Sequence, residues 1–333
     1  MSQDNFQALV LREEDKKTHA SIETLALDAL PDEDTLIKVD YSTLNYKDAL
    51  AITGKGKIVR TWPMVPGVDF AGTIVESSNP QYKPGTRVVL TGWSVGEKYW
   101  GGYSQYQRVN SDWLVPLPDG LTTRQAMMIG TAGFTAMLCV NALEAANITP
   151  QSGPVLVTGA AGGVGSVAVA ILTNLGYSVT ALTGDPEKHT YVKHLGATAF
   201  ADGPEWSEAP RALEAQRWAA AIDTVGSKVL ARVLAEMHYG GVVAACGLAG
   251  GADLTTTVMP FILRSVRLIG VDSVMLPTKD RVSAWQRIVN DLPMEVLNGI
   301  TATTVSLTDV KGAAEDMLGG KLKGRVLVDV NAV

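Results

Sequence analysis

The chain has 333 residues, more than the roughly 250–300 over which a single hydrophobic core keeps growing, so two domains are expected. A formal net charge of -6 and a pI near 5.3 leave no basic excess to neutralise a phosphate backbone or anionic lipid, so neither a nucleic-acid nor a membrane partner is expected. The two cysteines, Cys139 and Cys246, each stand alone in the sequence, which excludes a disulfide framework and a paired-cysteine zinc site and fits a reducing, cytoplasmic location.

Residues Met1 to Gln7 lack a basic region followed by an apolar one, and no later stretch reaches about 18 apolar residues without a polar break, so nothing is expected to mark the chain for export. The first third then reads as short strands (Gln7 to Leu11, Thr35 to Val39, Phe70 to Val75, Arg87 to Thr91, Tyr103 to Val109) between Gly, Pro and Asp turns, a small β-barrel or sandwich. Within it, the loop from Gly92 to Gly102 carries Trp93, Tyr99 and Trp100 and is expected to pack on its own domain. After Pro116 to Gly120 the texture changes. Short apolar strands (Val155 to Thr158, Ser178 to Leu182, Ala220 to Asp223, Val242 to Cys246, Arg267 to Val271) alternate with amphipathic helices, as in a parallel sheet covered on both faces. Val326 to Val330 is a last strand, expected to return to the N-terminal domain.

The strongest motif is Val155-Leu-Val-Thr-Gly-Ala-Ala-Gly-Gly-Val-Gly165, followed by a helical run from Ser166 to Leu175. Glycines between an apolar strand and a helix let the backbone approach a dinucleotide pyrophosphate, which the free N–H groups and dipole of the helix N-terminus stabilise. With Gly162 and Gly165 as the second and third glycines of the pattern, Ala160 takes the first place. An NAD site usually adds a carboxylate about 20 residues on. Here that position is Thr183, a hydroxyl that does not repel a 2′-phosphate, so NADP is favoured; Asp185 argues against this and Lys188 offsets it.

Beyond the glycine turn, the segments Leu44-Asn-Tyr-Lys-Asp-Ala-Leu50, Pro66-Gly-Val-Asp-Phe-Ala-Gly72, Leu90-Thr-Gly-Trp93, Gly130-Thr-Ala-Gly-Phe-Thr-Ala136, Ala221-Ile-Asp-Thr-Val-Gly226 and Ala245-Cys-Gly-Leu-Ala-Gly250 run nearly end to end. On these the chain resembles the medium-chain dehydrogenase/reductase superfamily and, within it, the acrylyl-CoA reductase group. The resemblance implies an α/β protein with a GroES-like β-barrel catalytic domain from residues 1–126 and 299–333 and a Rossmann doubly wound parallel-sheet domain over 127–298. It also implies a homodimer, NADPH as cofactor and a short enoyl-CoA as substrate, acryloyl-CoA to propanoyl-CoA first. A quinone or enone reductase on the same scaffold, and a non-catalytic NADPH-binding protein, are the competing readings. Asn45, Tyr46, Asp48 and Asp69 are the implied active-site residues. Tyr46, Ala161, Gly162, Gly163, Val164, Thr183, Gly184, Asp185, Lys188, Leu248, Ile262 and Ser273 are the implied cofactor contacts. Relatives carry Arg where this chain has Asp185. Zinc members of the superfamily place Cys and His ligands where this chain has Asn45 and Val68, so no zinc is expected.

Reducing an unsaturated thioester requires hydride at the β-carbon, stabilisation of the enolate oxygen and a proton for the α-carbon. The resemblance puts Tyr46 near the nicotinamide, where it is a candidate proton donor. Asn45 and Asp48 equally fit a capping box for a helix from Tyr46 to Ile52. Asp69, flanked by Val68 and Phe70, is costly to bury unless paired or functional, which favours function. Lys55, Lys57 and Arg60 are candidates for docking coenzyme A phosphates, or an ordinary solvated loop.

Overall fold

A computed structural model describes residues 5–332, except the side chains of 301 and 302; part of the segment read for a leader, residues 1–4, lies outside the described residues. In chain order the first part runs β1 (Asn5–Glu14), β2 (Lys17–Ala26), β3 (Thr35–Leu44), α1 (Tyr46–Thr53), β4 (Asp69–Ser77), β5 (Arg87–Thr91), β6 (Tyr106–Val109), β7 (Val115–Pro116) and α2 (Thr123–Ala145). The middle follows as β8 (Val155–Thr158), α3 (Gly163–Asn174), β9 (Val179–Leu182), α4 (His189–His194), β10 (Ala199–Phe200), β11 (Trp218–Asp223), α5 (Ser227–Ala235), β12 (Met237–Ala245), α6 (Met259–Arg264) and β13 (Arg267–Gly270). The chain ends with α7 (Thr278–Asp291), α8 (Met294–Ile300), β14 (Thr301–Ser306), α9 (Val310–Leu318) and β15 (Arg325–Asp329).

Two compact units result: 132–272 with 290–296 form one, and the rest of the described chain forms the other. This differs from the division drawn from the sequence, chiefly in placing 127–131 and 273–289 with the barrel unit. Hydrogen bonds explain both shifts. Thr131 N–H donates to Asp69 at 2.8 Å, and Arg281 donates to the carbonyls of Thr91 (2.7 Å) and Val274 (2.6 Å).

In the barrel unit the strand order is β14-β15-β3-β4-β5-β7, with β6 on β3, and β1–β2 form a separate hairpin. The last strand does return: Val326 pairs antiparallel with Leu44 of β3. Phe6, Ile37, Leu44, Phe70, Leu90 and Val326 are among its buried core. Three of its strands, β2, β7 and β14, have no counterpart in the sequence reading; β7 is two residues long, and β2 alternates only exposed and half-buried residues, so no apolar stripe marks it. The aromatic loop packs on its own unit, with Trp93 stacked on Trp113 and Tyr99 tilted against it. Helix α2 is broken at Gly130 (φ 54, ψ -162). By length and mean hydropathy alone it would suffice to cross a membrane, but Thr131, Thr135 and Asn141 break its apolar run and most of that window is buried, as in a core helix.

The other unit is a parallel sheet of order β10-β9-β8-β11-β12-β13. The chain leaves the central strand β8 toward β9 on one side and later β11 on the other, so the carboxyl ends of β8 and β11 form a switch point, where open α/β sheets bind ligands. Cys139 and Cys246 do not stand alone in the fold: hydrogen bonding with the Cys246 thiol, then burial, holds the Cys139 thiol well above its ordinary range.

Candidate active site

Where β3 ends, Asn45 adopts an extended backbone (φ -107, ψ 161) and starts α1. Asp48, in the first turn, accepts the Asn45 N–H through Oδ2 at 2.9 Å and the Val68 N–H through Oδ1 at 3.0 Å. Asp48 therefore both caps α1 and ties it to the start of β4. The Asn45 side chain turns to β3 and β4, where Nδ2 donates to Thr43 Oγ1 at 3.1 Å and to Asp69 Oδ2 at 3.0 Å.

Asp69 is fully buried, and its carboxylate is surrounded by donors. Thr43 donates through N–H (3.2 Å) and Oγ1 (2.7 Å) to Oδ1, and Thr131 N–H donates to Oδ2 at 2.8 Å. Thr131 is the first residue after the break in α2, so the positive dipole end of the helical segment that it starts favours the negative charge. From β15, buried Arg325 donates to Thr43 Oγ1 at 2.9 Å, to Asn45 Oδ1 at 3.3 Å and to Met128 O at 3.3 Å. Thr43 Oγ1 thus gives one proton and accepts two, the full capacity of a hydroxyl. A Cβ at Gly130 would strike Arg325 Nη2 and lie 3.1 Å from both Asp69 Oδ2 and Thr43 Oγ1, so a bare α-carbon is required there.

Sequence reasoning missed Thr43, Gly130, Thr131 and Arg325. An arginine opening the otherwise apolar strand Arg325–Asp329 is the signal that was available, since a buried guanidinium requires partners.

Burial, and then the neighbouring Asp69 charge, push the Asp48 carboxyl up to about 7, against the hydrogen bonds from Asn45 and Val68. Tyr103, whose hydroxyl donates to Thr43 O at 3.0 Å, is raised well above the ordinary phenol range, first by burial and then by Asp48 and Asp69. Asn45, Asp48 and Asp69 are thus brought together, with their polar atoms engaged by protein partners. Tyr46, the first residue of α1, is different. It is 44% exposed, and its hydroxyl has no partner among the described residues.

In the sheet unit the glycine turn joins β8 to α3. Gly159 takes the left-handed conformation (φ 58) that closes the turn, while Ala160 is fully buried, so the first glycine role falls on 159 rather than 160. A Cβ on Gly165 would strike Gly159 O, so this glycine allows α3 to pack on the turn. Gly162 is exposed, Gly163 and Val164 are half-buried, Ala161 is buried, and no acidic residue occupies the first turn of α3. The first N–H groups of α3 have no acceptor within the helix and suit a pyrophosphate.

The segment after β9 departs from the expectation. Thr183 is buried and its hydroxyl donates to Asp185 O at 2.8 Å, so that donor is committed to the loop. Asp185 Oδ1 accepts the Glu187 N–H at 3.0 Å, and Oδ2 lies 3.7 Å from Lys188 Nζ, the offset expected from Lys188. Gly184 is exposed with open space beside it. Leu248 and Ile262 are 58% and 70% exposed. Ser273 belongs to the barrel unit, where its carbonyl accepts from Arg281 at 3.1 Å. Among the described residues, no group of three or more His, Cys, Asp or Glu is placed to hold a metal ion.

Comparison with known proteins agrees with this architecture. Residues 31–119 match the family described as alcohol dehydrogenase GroES-like domain, and 163–290 match the family described as zinc-binding dehydrogenase. Acrylyl-CoA reductase AcuI of Ruegeria pomeroyi is 56% identical over 330 residues, covering 98% of this chain and 100% of the relative. The crystal structure of Escherichia coli K-12 YhdH with bound NADPH superposes with a TM-score of 0.95 at 57% identity, covering 98% of this chain and 100% of that one. Bacillus subtilis YhfP, described as a putative quinone oxidoreductase, is 44% identical, covering 97% of this chain and 98% of the relative. Its crystal structure with NAD bound gives a TM-score of 0.94 at 44% identity, covering 98% and 99% of the two chains.

Proposed function

This chain belongs to the acrylyl-CoA reductase family of medium-chain dehydrogenases/reductases, and from that premise we propose that it uses NADPH to reduce the double bond of a short enoyl-CoA, acryloyl-CoA to propanoyl-CoA first. The observation that carries this reading is identity above half, end to end, with an acrylyl-CoA reductase. The 44% identity with a putative quinone oxidoreductase supports a quinone or enone as the second reading.

When bound, NADPH supplies the hydride. Ala161, Gly162, Gly163 and Val164 hold its pyrophosphate at the α3 N-terminus, and Gly184, Asp185 and Lys188 meet the 2′-phosphate end. Leu248, Ile262, Ser273 and Tyr46 complete the contacts that the family implies. With the Thr183 hydroxyl committed to Asp185 O, preference for NADPH over NADH rests on Lys188.

Asn45, Asp48 and Asp69 act by holding the start of α1 against β3 and β4, which fixes the backbone of Tyr46. Preorganisation of this kind keeps a donor at the reacting atom without reorganisation during the reaction. The Tyr46 hydroxyl gives the α-carbon its proton, directly or through water, and is reprotonated from solvent. With Asn45 and Val68 at the positions of zinc ligands in relatives, the activity is expected to need no zinc.

A cytoplasmic homodimer is part of the same reading. β13 is an edge strand of its sheet, and α6, which precedes it in the chain, exposes Leu263, an apolar surface suited to a second copy. Leu263→Glu is expected to give a monomer by analytical ultracentrifugation, and an unchanged mass would refute the assignment of that surface. The enzymatic proposal is tested by following NADPH oxidation with acryloyl-CoA and identifying the thioester by mass spectrometry. One propanoyl-CoA per NADPH consumed is expected, whereas NADPH loss without propanoyl-CoA would overturn it.

A further inference from the structure

Directly after α1 the barrel unit carries Lys55, Lys57 and Arg60, all exposed, and none has a carboxylate within 4.0 Å among the described residues. The Arg60 N–H donates to Glu97 O at 2.8 Å and Thr61 Oγ1 donates to Lys98 O at 3.0 Å, so the strip lies edge to edge with residues 97 and 98. Exposed Lys98, likewise without a carboxylate partner, joins the three cations. Glu97 is the acid in these two segments, and Lys47 neutralises it at 2.7 Å. Between the cations, half-buried Ile58, Val59, Trp62 and Trp100 pack on Leu11, Ala51 and Met64. Trp100 is anchored by its Nε1–H, which donates to Pro63 O at 3.1 Å.

Four uncompensated cations beside an apolar, aromatic floor, on a chain of net charge -6, suit a ligand that joins several phosphates to a flat ring. The positive island is bounded. The β1–β2 turn, whose Thr18 meets Gly54, sets Glu13, Glu14 and Asp15 against Lys16 and Lys17. The eight residues of α1 rise about 12 Å, so the strip begins one short helix away from Tyr46.

Resting on the enoyl-CoA reading above, we propose that Lys57, Arg60 and Lys98, over Trp62 and Trp100, bind the 3′-phospho-ADP end of the substrate's coenzyme A, with the pantetheine arm following α1 to Tyr46. The strip supplies remote binding energy to the thioester and takes no part in the chemistry.

The test compares the wild type with the triple variant Lys57→Ala/Arg60→Ala/Lys98→Ala. Calorimetry on both proteins saturated with NADP+ measures binding of free coenzyme A, and steady-state kinetics at saturating NADPH uses acryloyl-CoA and acryloyl-pantetheine, which lacks the nucleotide. Coenzyme A affinity is expected to fall, and KM for acryloyl-CoA to rise, by about tenfold or more, with kcat and the rate on acryloyl-pantetheine held within about twofold. Unchanged coenzyme A affinity in the variant, absence of binding by the wild type, or an equal loss on both thioesters overturns the proposal. If the wild type reduces neither thioester, the enoyl-CoA reading fails, and the calorimetry alone decides the strip.

Discussion

The Asn45 side-chain amide donates to the Asp69 carboxylate at 3.0 Å, joining the cap of α1 to the first residue of β4. The residue that starts the helix thus uses its backbone N–H to bind Asp48 and its side chain to bind the buried carboxylate. Asp69→Asn keeps the shape but turns an acceptor into a donor facing Thr43, Asn45 or Thr131. Kcat and kcat/KM for acryloyl-CoA are expected to fall together by about tenfold or more, with a stability loss of about 1–3 kcal/mol. A folded variant with unchanged kcat would remove Asp69 from any positioning role.

Gly130→Ala tests the same cluster from α2. The added methyl meets Arg325, Asp69 and Thr43 at a positive φ, so about 1–3 kcal/mol should be lost and turnover should drop with it. A denaturant midpoint equal to that of the wild type would contradict the packing described here.

Asp48 gives a pH signature. Its folded pKa of about 7 lies above the ordinary 3.8, so the folded state binds the proton more tightly than the unfolded chain. The stability it contributes is full below about pH 4 and is lost as pH rises through about 7; the whole effect is at most about 4 kcal/mol. In urea titrations the wild type should lose stability between pH 5 and pH 8 by more than Asp48→Asn does. Parallel pH profiles for the two proteins would refute the raised carboxyl.

At the cofactor end, Asp185→Arg replaces a carboxylate by a group able to grip a 2′-phosphate and releases Lys188 from its partner. A charge-assisted contact is worth about 1.5–3 kcal/mol, so fluorescence titration should show NADPH binding about tenfold or more tighter. Loss of the cap on the Glu187 N–H should cost about 0.5–1 kcal/mol of stability. In the unmodified chain NADPH should still bind better than NADH; equal or better binding of NADH would count against Lys188.

Local signals explain what was legible in the sequence. The glycine turn, the α1 cap and the oddity of a carboxylate between Val68 and Phe70 all lie within a few residues, where spacing and residue type carry the information. Arg325 and Thr131 were not legible because Arg325 reaches Thr43 and Asn45 only when β15 pairs with β3, and Thr131 reaches Asp69 only where α2 breaks at Gly130. The shift from Ala160 to Gly159 is smaller in kind, since the pattern showed which turn but not which residue takes the positive φ. At Thr183 the residue type suggested a donor for phosphate, while a contact two residues on, to Asp185 O, commits that proton to the loop.

The central claim is that the acceptor is an enoyl thioester. Its most direct test is kcat/KM for acryloyl-CoA against a simple quinone, measured at the same NADPH concentration with the same preparation. The thioester is expected to win by about a hundredfold or more, and a quinone reduced faster than acryloyl-CoA would contradict the account.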